Sequence, residues 1–164
     1  ADAANKLIYR YNLKGEFLHE IGRKDESQGI EGFIIPSPYF DLALGRDGEL
    51  WAVNSGRHQL ESYDSEGRLI SSWKKTSMGL DGFSGCCNPS HIALLSNGDF
   101  VTSEKGIERI KISSPTGEFL SVVAPPDSFN KGTHGIDLVV DSKDRIIAID
   151  PDQKLIRIFI QKEE

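Results

Sequence analysis

The chain has 164 residues, 38% hydrophobic and 27% charged, with a formal net charge of −6 and a pI near 5.3. That is enough for one globular domain with a real core, and no apolar run approaches the ~20 residues of a membrane-spanning helix. The acidic balance argues against a nonspecific grip on nucleic-acid phosphates, and two adjacent cysteines, Cys86 and Cys87, are too few and too close for a disulfide framework.

No basic, apolar leader opens the chain. The first pattern met is Leu7–Tyr11, an alternating stretch, then a turn at Gly15 and a second strand over Glu16–Ile21. A long connection follows, Gly22–Tyr39. The next unit starts with Phe40–Leu44, turns at Asp47-Gly48, and returns over Leu50–Val53. Asp-Gly and Asn-Gly are strong hairpin signals because the turn needs a positive φ. Leu60–Tyr63 then alternates with a period of two, which places its apolar side chains on one face. Gly67 turns the chain into a fourth strand, Arg68–Trp73.

The same order recurs after the connection Lys74–Ser90. His91–Leu95, Asn97-Gly98, Phe100–Ser103, Arg109–Ile112, Gly117 and Phe119–Val123 repeat it element for element. After Ala124–Gly135 comes a third copy, with Ile136–Val140, a turn at Lys143-Asp144, Arg145–Ile149 and Leu155–Phe159. Turn glycines at 15, 67 and 117 lie 52 and 50 residues apart, and the first-hairpin turns at 48, 98 and 144 lie 50 and 46 apart. A period of about 40–50 residues with four strands per repeat is that of a propeller blade. The expected fold is therefore all-β, a β-propeller of about three and a half blades: a partial blade at 1–21, blades at 40–73 and 91–123, and a partial blade at 136–160.

The frame of strand, Asp-Gly turn, strand, Asp-x-x-Asn-x, alternating strand and Gly turn resembles the NHL repeat. Asp2-Ala-Ala-Asn5-Lys-Leu-Ile-Tyr-Arg-Tyr11 shows it best, and Asn54–Tyr63, Glu104–Ser113 and Asp150–Phe159 repeat it with drift. Phe83-Ser-Gly-Cys-Cys-Asn-Pro89 with Thr102-Ser-Glu-Lys-Gly106 resembles a bacterial subgroup of NHL proteins of undefined function. The resemblance implies a six-bladed ring and slightly favours an extracytoplasmic location. The chain opens at the connection between second and third strands, so it is expected to be the C-terminal part of a longer propeller. The alternative is two chains that each supply about three blades. Open blade edges invite self-association in either case.

In a propeller the first strand of each blade is innermost, and the long fourth-to-first connections emerge on one face. That face is where a ligand or partner is expected. Three side-chain sets could act there. Seven residues before each first-hairpin turn stand Asp41, His91 and Asp137, a carboxylate–imidazole set able to hold a divalent metal. NHL-like peptide-amidating lyases hold zinc there through histidines, a pattern this set departs from. The competing role for the two aspartates is capping of loop amides. Cys86 and Cys87, with His91 near in sequence, could form a redox pair or bind a soft metal, or simply pack as small buried residues. Arg57, His58, Lys105 and His134 are the remaining loop candidates for ligand contact. Trp51 and Trp73 fall on strands and read as core between blades.

No phosphate loop, nucleophile elbow, HExxH or dinucleotide fingerprint is present. The leading expectation is a non-catalytic binding or scaffold module that presents its long loops to a protein or small molecule. The competing one is a metal- or thiol-dependent enzyme, a lyase, hydrolase or redox protein, at the channel mouth.

Overall fold

The computed structural model describes residues 1–161. A pair, β1 (Ile8–Tyr11) and β2 (Phe17–Ile21), comes first. Two four-stranded antiparallel sheets follow: β3 (Leu42–Leu44), β4 (Leu50–Asn54), β5 (Gln59–Tyr63) and β6 (Leu69–Lys74), then β7 (His91–Leu94), β8 (Phe100–Glu104), β9 (Arg109–Ser113) and β10 (Phe119–Ala124). A three-stranded sheet closes the series with β11 (Asp137–Val140), β12 (Ile146–Asp150) and β13 (Leu155–Phe159). Each sheet is a simple meander, and β3, β7 and β11 pack side by side as the inner strands. The fold is an all-β, partial β-propeller, and no α-helix occurs among the described residues.

The repeated turns work because each carries its own acceptor. Asn12, Asp64, Ser114 and Asp141 all accept backbone N–H bonds from the turn that follows them. The turn of the third copy has no glycine, and Asp144 takes its place at φ +56°. Aspartate tolerates that left-handed conformation better than most residues. Its carboxylate also accepts from the Ser96 N–H at 2.7 Å and from the Ser96 hydroxyl, so the turn is tied to the preceding blade.

The core lies between blades. Trp51 meets Phe100 edge-on, ring centroids 4.7 Å apart, and Trp73 stacks on Phe83 at 5.5 Å. Val53, Leu60 and Ile92 complete this layer. A second layer gathers Ile8, Ile21, Phe33, Ala52 and Tyr63, and a third gathers Val101, Ile110, Phe129, Ile136 and Ala148. Gly117 sits so close to Trp73 that a Cβ there would fall 2.5 Å from the indole. Both tryptophans are thus interblade packing, as their strand positions predict.

The polar edges of β9 are buried too. Glu104 accepts from Arg109 Nε at 2.7 Å and from Lys111 Nζ at 2.9 Å, with all three side chains almost wholly covered. What covers them is the connection between β6 and β7. Arg109 donates to the Gly79 and Gly82 carbonyls at 2.8 and 3.2 Å, Lys111 to those of Leu80 and Gly82, and the Ser84 N–H donates to Glu104 at 3.2 Å. Burial lowers the Lys111 pKa against the pull of Glu104. Buried charges of this kind persist only when paired and hydrogen-bonded, and here the pairing fastens residues 79–84 to the blade.

Candidate functional site

The loop that carries the two cysteines is held at three places. The charged cluster fixes its first part. Next, Asn88 donates to the Ser84 carbonyl at 2.7 Å and to that of Lys105 at 2.9 Å, and accepts from the Lys105 N–H at 2.9 Å. Finally, His58 Nε2 lies 2.7 Å from the Gly85 carbonyl, and Nδ1 lies 2.9 Å from the Thr76 hydroxyl. A carbonyl can only accept, so Nε2 carries a proton and donates it to Gly85, while Nδ1 and the Thr76 hydroxyl hold each other.

In this frame Cys86 faces solvent, Cys87 is covered, and their sulfurs lie 3.1 Å apart without a bond. Burial pushes the Cys87 thiol up, yet hydrogen bonding to Lys105 and Cys86, the Lys105 charge and Ser37 bring it below the ordinary cysteine value. The hydrogen bond and charge of Cys87 push Cys86 the other way. Of the two thiols, Cys87 is thus the one that gives up its proton more readily.

Lys105 Nζ also stands 5.4 Å from the centre of the Tyr39 ring, and that ring lies 5.3 Å from the His91 imidazole. Gly135 approaches Tyr39 from the next loop, where a Cβ would meet the ring at 3.0 Å. Tyr39 is thus the hub on which three connections converge. One polar atom beside it, His91 Nδ1, is shut off from solvent and has no hydrogen-bond partner among the described residues, while Ser37 Oγ, buried as well, stands by the Cys87 thiol. A buried polar atom without a partner is rare enough to call for an explanation.

Asp41, His91 and Asp137 all stand at the start of inner strands, close enough for His91 and Asp137 to act on the charge of Asp41. The aspartates are occupied with backbone. Asp41 accepts from its own neighbour Leu42 at 2.9 Å and, across the blade boundary, from the Ile92 N–H at 2.8 Å. Asp137 accepts from Leu138 at 2.8 Å. Burial raises the Asp41 pKa, with Asp137 adding to the shift and the two N–H bonds and His91 opposing it. Among the described residues no three His, Cys, Asp or Glu side chains gather in an arrangement able to hold a metal ion. The hydrogen bonds that Asp41 and Asp137 make are those of amide caps.

The remaining sequence candidates divide. Lys105 is at the mouth. Arg57 is paired with Glu31 at 2.5 Å and leans on the Glu31 and Gly32 carbonyls, and His58 has both ring nitrogens engaged, so each fastens a loop. His134 is exposed at the rim beside Gly135. Tyr39 and Ser37 were missed by the sequence reading. They lie in a long connection with no periodicity, and the only signal is their place just before the inner strand that begins at Leu42.

No family model and no curated protein matches the chain. Solved structures do. It is similar to virginiamycin B lyase from Staphylococcus aureus, with a TM-score of 0.57 and 16% identity over 96% of this chain and 49% of that one. A Bacteroides caccae protein of unknown function matches with a TM-score of 0.60 and 12% identity, over 93% and 52% of the respective chains. A gluconolactonase from Xanthomonas campestris matches at 0.55 and 15%, over 85% and 40%. These likenesses carry the propeller fold, and the chain spans about half the length of the structures it resembles.

Proposed function

We propose that the chain is part of an NHL-type β-propeller whose long-loop face binds a small polar ligand at the mouth of the inner strands. The observation that carries this reading is the buried, unpartnered Nδ1 of His91, set against the Tyr39 ring. Lys105 reinforces it, because its ammonium has no carboxylate partner among the described residues. The Lys105 ammonium would donate to oxygens of the ligand, His91 would meet a further polar atom, and Tyr39 would cover an apolar face. The repeat frame and the propeller neighbours support the architecture. The test is a thermal-shift screen of small carboxylates, sugar acids and short peptides, followed by calorimetry. Binding that weakens about tenfold or more in Lys105→Met and His91→Ala would support the site; hits indifferent to both changes would refute it.

A second reading has its own observation. Asp41, its pKa raised by burial, lies beside His91, and such a pair can move a proton. The neighbours include a virginiamycin B lyase and a gluconolactonase. An enzyme of lyase or lactone-hydrolase type would use His91 as the proton-transfer group. Incubation with virginiamycin B and with gluconolactone, followed by mass spectrometry, separates the readings. Turnover abolished in His91→Ala favours the enzyme, and unchanged substrate excludes these two chemistries.

A further inference from the structure

We propose that Cys86 and Cys87 form a redox-active vicinal dithiol, with Cys86 as the entry point for a small disulfide oxidant and Cys87 as the thiol that closes the bridge. This goes beyond ligand binding at the mouth and does not depend on it. Three observations carry it. The sulfurs already touch at 3.1 Å. One is exposed and the other covered, so an incoming disulfide meets Cys86 first. The backbone on both sides is fixed, by His58 at Gly85 and by Asn88 at Ser84 and Lys105, so the two sulfurs stay in register.

The chemistry balances without a metal. Cys86 gives up its proton to solvent as its sulfur attacks one sulfur of a disulfide R–S–S–R. That gives a mixed disulfide on Cys86 and releases R–S⁻. Cys87 then attacks the Cys86 sulfur, expels the second R–S⁻, and gives up its proton. The two protein thiols are oxidised by two electrons, and the small disulfide is reduced to two thiols. Lys105, beside Cys87, stabilises the thiolate needed for the second step. Adjacent Cα atoms lie about 3.8 Å apart, against about 4.4–6.8 Å in ordinary disulfides. A bridge between neighbours is therefore strained and readily reduced, which suits reversible use rather than stapling.

The test uses glutathione disulfide as the probe, with iodoacetamide labelling and mass spectrometry of the intact protein. The wild type should lose both alkylatable thiols together with two hydrogens and no added glutathione, and dithiothreitol should restore them. Cys87→Ser should stop at one glutathione on Cys86, and Cys86→Ser should react slowly because Cys87 is covered. Lys105→Met should slow bridge closure severalfold near neutral pH, because the cation that favours the Cys87 thiolate is gone. Far-UV circular dichroism confirms that each variant is folded. Two thiols that stay free in the wild type, or a stable glutathione adduct on it, would overturn the proposal.

Discussion

The side chain of Asn88 and the backbone of Lys105 are joined like two residues of a strand pair, by an N–H···O bond in each direction at 2.9 Å. Together with the bond to the Ser84 carbonyl, this makes one buried amide the keystone of the cysteine loop. Asn88→Ala would leave three backbone groups without their partner. The expected cost is about 2–4 kcal/mol, since each buried group left unsatisfied costs about 1–3 kcal/mol and some would find water. Urea denaturation measures it. The same variant should expose Cys87 to iodoacetamide more quickly, and unchanged labelling would show that the loop is held by something else.

Glu104 faces two cations, so losing its charge strands both. Glu104→Gln keeps the shape and should cost about 3–5 kcal/mol, the range for breaking a buried pair by removing one partner. Lys111→Met removes a cation while keeping an unbranched chain over Phe83, and should cost clearly less. Equal losses in urea unfolding would show that packing, not charge, holds residues 79–84.

Gly117 is required twice over. Its φ is +84°, and the Trp73 ring occupies the place of a Cβ. Gly117→Ala should therefore cost about 2–4 kcal/mol from conformational strain and overpacking. Gly15→Ala has the same turn geometry, with φ +80°, and open space around it, so it should show the smaller, purely conformational part. Chemical denaturation of the two variants separates the terms.

Asp150 makes stability depend on pH in a defined sense. Burial would raise its pKa, but the Gln153 N–H at 3.0 Å and Arg157 at 2.9 Å hold it below the ordinary carboxylate value. A lowered folded pKa means that its contribution is complete above the unfolded value, about 3.9, and is lost as the pH falls from there through the folded value. Asp150→Asn should be less stable than the wild type at pH 6 and should close that gap on acidification. Asp41 acts in the opposite sense: its pKa is raised, so the stability linked to it falls as the pH climbs from the ordinary value to the folded one. Melting temperatures of wild type and Asp150→Asn between pH 6 and 3 decide the first point, and a constant gap would contradict it.

Much of the fold was legible because strands and turns are local. Period-two alternation and the Gly48 and Gly98 turns located the hairpins, and counting back from them found Asp41, His91 and Asp137 at the inner strand starts. That the two aspartates cap amides was legible too; that Asp41 reaches the Ile92 amide was not, because this depends on how neighbouring blades meet. Arg109-Ile-Lys-Ile112 alternates as a strand with one wet face should, yet Arg109 and Lys111 are buried. The loop that covers them arrives from 30 residues upstream, out of reach of any local pattern. Tyr39 escaped for a related reason. It belongs to no periodic element, and it matters only because loops from different blades converge on it.

The carboxylate of Asp41 has a consequence for how neighbouring blades open. The Ile92 amide lies on one blade while its acceptor lies on another, so deuterium uptake at Ile92 reports on the blade that contains Asp41 as well as its own. The Ser96–Asp144 bonds and the one from the Ser103 hydroxyl to the Ile136 carbonyl at 2.6 Å extend the chain of dependence to the following blade. Fluctuations in such an array travel from neighbour to neighbour, so opening one blade loosens the contacts of the next.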